Sequence, residues 1–150
     1  MYNIEEYDNE KTKVLKYALY KKRTIREIKT KFRSVINEEM LEDILLELEE
    51  NGYIGDEEYI KKAVHEYMAL KNLSIKELKY KLSSKGIQNS LIEDYISRNT
   101  EELEEYERKS AENIAIKRAV NMDENDIKMY LIKKGYKEEN IKEAIEKIEE

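Results

Sequence analysis

Cysteine, proline and tryptophan are all missing from this 150-residue chain, and it has only four glycines, one phenylalanine and one histidine. Each absence excludes something. Without cysteine there is no disulfide framework, no thiolate zinc site and no thiol nucleophile. His65 has neither a cysteine nor a second histidine with which to share a metal, so a satisfied, partly buried imidazole is expected there. No apolar run approaches the roughly 20 residues needed to cross a bilayer. The opening MYNIEEYDNEK has no basic stretch followed by an apolar core, so no secretory leader is expected and the chain reads as soluble and cytoplasmic. A glycine-rich phosphate loop, a nucleophile elbow and an HExxH pair are absent as well. Carboxylate pairs such as Glu38 with Asp43 read as parts of a solvated helix face. Neither an enzyme nor a cofactor is expected.

What the chain has is charge and aliphatic side chains in near-equal measure, 41% and 40% of its residues, the balance of amphipathic helices with solvated outer faces. It also repeats itself. SIKELKYKLSSKGI at 74–87 returns as DENDIKMYLIKKGY at 123–136, with Leu78 over Ile127, Leu82 over Leu131, Lys85 over Lys134 and Gly86 over Gly135 at one offset of 49 residues. A fainter copy lies 50 residues upstream, where Thr24, Glu27, Ile28, Lys31 and Phe32 precede Ser74, Glu77, Leu78, Lys81 and Leu82. That copy lacks the Lys-Gly.

Thr24, Ser74 and Asp123 each stand as an N-cap three residues before an acid, the pattern that satisfies free amides at a helix start. Gly86 and Gly135 supply the left-handed position that ends a helix, each after a lysine suited to the negative end of the helix dipole. Apolar spacing and these signals predict helices near 8–22, 24–34, 38–51, 56–71, 74–85, 89–98, 100–120, 123–134 and 138–149. The expected fold is all-α: three tandem three-helix repeats over 1–52, 53–99 and 100–150, forming an elongated, curved array.

The stretch LEENGYIGDEEYIKKAVHEYMALKNLSIKELKYKLSSKGI resembles the RecX family, bacterial regulators of the RecA recombinase. Its features are a Gly-Tyr-hydrophobic turn, acids, an aromatic residue and a Ser-x-x-Glu-Leu-x-x-Lys-Leu helix closing in Lys-Gly-hydrophobic. The resemblance spans about Lys13 to Ile148 and implies three tandem three-helix units. Gly55 stands where the family usually has the first of two Asp, and the first unit lacks its Lys-Gly. The resemblance implies a non-catalytic protein that binds the RecA filament on single-stranded DNA and limits its growth, strand exchange and SOS co-protease activity.

Charge is segregated independently of any family. Between Lys11 and Arg33 ten basic residues face Glu27 alone, and between Lys61 and Lys85 seven face Glu66 and Glu77, whereas 38–50 carries seven acids and no base. A net charge of −6 argues against a coat for bare nucleic acid, and a bipolar surface suits a bipolar partner such as a protein filament on DNA. The expected contact residues are Lys21, Lys22, Arg23, Arg26, Lys29, Arg33, Lys61, Lys62, Lys76, Lys79, Lys81 and Lys85. The protein is expected to be a monomer, with at most a weak direct contact to DNA. Twelve tyrosines could offer stacking platforms, but Tyr17, Tyr59, Tyr67, Tyr80 and Tyr95 fall where a helix buries them. A helical module that binds single-stranded nucleic acid directly and an all-helical adaptor for another protein are the competing readings.

Overall fold

The computed structural model describes residues 3–149, so Met1 and Glu150, the outer limits of the first and third expected units, lie outside the described residues. Those residues form nine α-helices and no strand: α1 (Ile4–Tyr20), α2 (Ile25–Phe32), α3 (Glu38–Glu50), α4 (Asp56–Leu70), α5 (Ile75–Ser84), α6 (Asn89–Arg98), α7 (Thr100–Arg118), α8 (Glu124–Lys134) and α9 (Glu138–Glu149).

The ends of these helices follow from short polar residues. Thr24 and Ser74 form full capping boxes with Glu27 and Glu77, and Asp123 accepts the amide of Asp126 at 2.9 Å. Gly52, Gly86 and Gly135 take φ of 77°, 86° and 89°, a left-handed backbone open to glycine without strain. One start differs from the sequence expectation. α1 begins at Ile4 rather than near residue 8, because Asn3 caps it, its side-chain oxygen accepting the Glu6 amide at 2.7 Å.

Packing divides the buried residues into three clusters. The first joins Val14, Ile28, Phe32, Ile44 and Leu48 from α1 to α3; the second joins Ile60, Leu78, Leu82 and Ile92 from α4 to α6 with Leu103 of α7; the third joins Ala111, Ala115, Ile127, Leu131 and Ile145 from α7 to α9. Each buried Leu or Ile contributes about 1.5–3 kcal/mol. The third cluster has fewer of them, and alanines let α7 and α9 pack closely instead. With three cores in place of one, the chain exposes 9974 Å² for 18.0 kDa. A compact monomer of that mass exposes about 8,000 Å².

Two expectations about burial are corrected. Tyr80 is 75% exposed. It lies two residues from both Leu78 and Leu82, the buried face of α5, and two residues in a helix is more than half a turn. His65, one residue past the buried Val64 of α4, is exposed rather than partly buried.

Candidate partner-binding surface

The three helix triplets meet at two junctions built from the same parts. At the first, Thr24 Oγ1 lies 3.2 Å from the carbonyl oxygen of Lys85, and at the second Ser74 Oγ donates to the carbonyl of Lys134 at 2.6 Å. Each hydroxyl also accepts the amide three residues on, at 3.1 Å from Glu27 and 3.0 Å from Glu77. One side chain thus caps its own helix and reaches the end of the next middle helix, a double role that requires a hydroxyl.

The next amide of each middle helix is held by a carboxylate from the following triplet. Ile25 donates to Asp56 Oδ1 and Ile75 to Glu107 Oε1, both at 2.9 Å. A basic side chain completes the junction. Arg26 Nη2 donates to the Ser84 carbonyl at 2.9 Å, and its side chain crosses Gly86 so closely that a Cβ there would sit 2.4 Å from Arg26 Cδ. Lys76 crosses Gly135 in the same way, with its Cδ 2.9 Å from such a Cβ. The Lys-Gly signature therefore does more than stop a helix, since the missing Cβ admits the preceding triplet's basic side chain. The first triplet, which no other triplet precedes among the described residues, is the one without it.

Charge at these junctions is tuned by burial. Burial raises the Glu27 carboxyl, but hydrogen bonds from the Thr24 amide and hydroxyl and the charges of Lys85 and Arg23 outweigh it, leaving Glu27 below the ordinary carboxylate range. Asp56 goes the other way: burial pushes it up, helped by Glu27 and opposed by the Ile25 amide and Lys29. A folded-state value above the unfolded one means that Asp56 contributes stability when protonated, and that this contribution is lost as pH rises through the raised value. Asp56→Asn keeps an oxygen for the Ile25 amide and cannot ionise. Its stability relative to the parent is expected to grow as pH rises from about 4, measured by urea unfolding across that range. A constant difference would show that Asp56 is not destabilised by its charge.

The twelve basic residues expected at a contact surface fall into several groups. Lys21, Lys22, Arg23 and Lys62 line one open cleft of ≈ 670 Å³ between the end of α1 and α4, beside the half-exposed Tyr53 and Leu19. Within it Lys22 pairs with Glu66, and Arg23 lies over the Tyr17 ring at 3.8 Å and donates to the Tyr17 carbonyl. Lys21 and Lys62 are exposed. Arg26 and Lys29 line a second cleft at the first junction, with Gly86, where Glu49, Asp56, Glu57 and Glu58 outnumber them. Lys76 covers Gly135, Lys79 bridges to Glu93 at 3.0 Å, and Lys81 lies over the Tyr67 ring at 5.7 Å. Lys85 acts on Glu27, while Arg33 and Lys61 are exposed, Lys61 beside Arg98 and His65 in a third pocket. The acidic α3 is tied to α1 instead, where Glu47 takes Lys11 at 3.1 Å and the Tyr7 hydroxyl at 3.0 Å, partners that hold its carboxyl below the ordinary range.

Among the described residues no group of three or more His, Asp or Glu could hold a metal ion, and no helix is long and apolar enough to cross a membrane. Sequence reasoning missed Glu107, a fully buried acid and the one buried acid among the described residues, although a signal was present. It occupies a position in the stripe Leu103, Ser110, Ala111 and Ala115 that α7 turns inward, a place where an acid needs a partner.

No protein-family model matches the chain. Two curated relatives carry the same description. The regulatory protein RecX of Streptococcus mutans is 33% identical over 87 residues, 57% of this chain and 34% of that protein. RecX of Staphylococcus carnosus is 27% identical over 139 residues, 90% of this chain and 52% of that protein. The chain thus spans between about a third and about half the length of these relatives. Among solved structures, RecX from Lactobacillus salivarius superposes with a TM-score of 0.83 at 25% identity, covering 98% of this chain and 99% of that one. A second crystal structure of the regulatory protein RecX gives 0.77 over 92% of this chain and 72% of that one, and at 24% identity it speaks for the fold alone.

Proposed function

The chain belongs to the RecX family, and from that premise we propose that it is a non-catalytic cytoplasmic regulator that binds the RecA filament on single-stranded DNA and limits its extension. Strand exchange and the SOS co-protease activity, which both need an extended filament, are restrained in turn. The observation that supports this reading most is the full-length likeness to a RecX crystal structure, matched over nearly the whole of both chains. The surface supports it as well. A net charge of −6 with a basic cleft between α1 and α4 and an acidic α3 offers both signs to one partner. A protein filament carrying phosphates presents both signs in return. In this reading the three clusters are three units strung in tandem, with limits at 1–52, 53–99 and 100–150, and the two junctions fix how successive units face the filament. The protein acts as a monomer.

The deciding experiment compares binding to bare single-stranded DNA and to RecA-coated single-stranded DNA over a salt series, by fluorescence anisotropy. Binding is expected to be at least about tenfold tighter to the coated strand and to weaken with salt less steeply than a bare-DNA binder does. Equal affinity for both would favour the reading in which the basic stretches take single-stranded nucleic acid directly. Binding to neither would leave the adaptor reading.

A further inference from the structure

An open groove of ≈ 720 Å³ runs between α8 and α9, floored by Ile132, Tyr136, Ile141 and Ile145. The second triplet differs at the matching seam for a reason legible in three positions. At the repeat offset of 49, Lys79 corresponds to Lys128, Glu93 to Lys142 and Ser83 to Ile132. Lys79 and Glu93 bridge α5 to α6 at 3.0 Å and lay two long side chains over the seam. Two lysines cannot do this. Lys128 instead turns back along its own helix toward Glu124, at 3.8 Å, and the seam stays open. Ile132 stands 56% exposed at its edge, where the second triplet has a serine.

The end of the groove is acidic. Glu124 at the start of α8 and Glu149 at the end of α9 both line it, close enough for their carboxyls to share a hydrogen bond, with Glu146 adding its charge. Like charges this close repel; Lys128 and Lys142 line the groove as well, and leave four carboxylates, Glu124, Glu138, Glu146 and Glu149, against two lysines. A cation supplied from outside would relieve the excess that Lys128, 3.8 Å from Glu124, offsets only in part. α8 has 11 residues, about 16 Å of helix. That length accommodates aliphatic anchors at the i, i+3, i+4 and i+7 positions of a docked helix.

We propose that the α8–α9 groove is a docking site for an amphipathic segment of a partner protein, with aliphatic side chains seated on Ile132, Tyr136, Ile141 and Ile145 and a lysine or arginine entering between Glu124 and Glu149. The site lies apart from the basic cleft between α1 and α4 and does not depend on the RecA reading. Its partner is recognised by charge of the opposite sign and by apolar anchors that this cleft does not ask for.

The probe is a fluorescein-labelled designed helix with leucine at i, i+3, i+4 and i+7 and lysine elsewhere, together with a twin carrying glutamate in place of lysine. The lysine peptide is expected to bind at least about tenfold more tightly than its twin and to shift the methyl resonances of Ile132 and Ile145. Ile132→Glu, at an exposed position that leaves the core intact, is expected to lower that affinity about tenfold. Reversing Glu124 and Glu149 to lysine together is expected to turn the preference toward the glutamate twin. Failure of the lysine peptide to bind overturns the proposal. So does binding that Ile132→Glu leaves unchanged, which would mark mere attraction to an acidic protein. Self-association of the parent that Ile132→Glu abolishes would overturn it too, by giving the groove to a second copy of the chain.

Discussion

Glu107→Ala is expected to lower the free energy of unfolding by about 3–5 kcal/mol, the largest stability loss of any single change argued for this chain. The Glu107 side chain is fully buried and binds three donors from three places: the Ile75 amide at 2.9 Å, the Lys137 amide at 3.3 Å and the Asn140 side-chain amide at 2.5 Å. Alanine leaves all three in a low-dielectric site, where each unpaired donor costs about 1–3 kcal/mol, and opens a cavity besides. The loss is concentrated at one place, because α5, α7 and the turn into α9 all converge on this carboxylate. Glu107→Gln retains one acceptor oxygen and is expected to cost less, but its new N–H₂ faces donors and cannot replace the second. Urea unfolding followed by circular dichroism measures both. In a domain of this size a loss near 4 kcal/mol lowers the melting temperature by roughly 10 °C. A melting temperature for Glu107→Ala within two degrees of the parent's would show that the junction is not held by this residue.

The contrast between Glu107 and the helix caps shows which parts of the fold the sequence made legible. Capping is local: Thr24 with Glu27, Ser74 with Glu77 and Asp123 with Asp126 are three residues apart, so helix starts could be placed within a residue of where the structure has them. Junctions are not local. Thr24 reaches Lys85, Ser74 reaches Lys134 and Ile75 reaches Glu107, across separations of 61, 60 and 32 residues, and no periodicity in the chain announces them. The repeat offset nonetheless carried the information in disguise. Because the Thr24–Lys85 and Ser74–Lys134 contacts each join corresponding positions of adjacent copies, the same serine-or-threonine and Lys-Gly read as a cap and a stop also encode the stacking. Tyr80 shows the opposite failure. Helical spacing places five tyrosines in the core, and Tyr80, two residues from the apolar stripe, points to water. The basic surface was legible as composition but not as geometry, since sequence distance could not show that Lys22 would pair with Glu66 or Arg26 cross Gly86.

That geometry decides where charge reversal separates binding from folding. Lys22, Arg26 and Lys79 bind Glu66, the Ser84 carbonyl and Glu93 respectively, so glutamate at any of them opposes an acid or breaks a junction contact. Lys21 and Lys62 share the cleft at the end of α1 and are exposed, and neither carries a junction. Lys21→Glu with Lys62→Glu is therefore expected to leave the melting temperature within about 2 °C of the parent, since exposed charges contribute only about 0.5 kcal/mol each to folding. Binding is another matter. Reversing two charges replaces two attractions by two repulsions at one contact, and at about 1 kcal/mol for each change the affinity falls by well over tenfold. Under the function proposed above, the concentration of protein needed to halt RecA filament growth on single-stranded DNA is expected to rise by at least that factor, and the salt dependence of binding to flatten, because fewer ion pairs remain to be screened. The comparison with Arg26→Glu sharpens the test, since that variant is expected to lose stability together with activity. A folded Lys21, Lys62 double variant that halts filament growth at the parent's concentration would remove this cleft from the contact and turn attention to the acidic face of α3, where Glu38, Glu39 and Glu42 stand exposed.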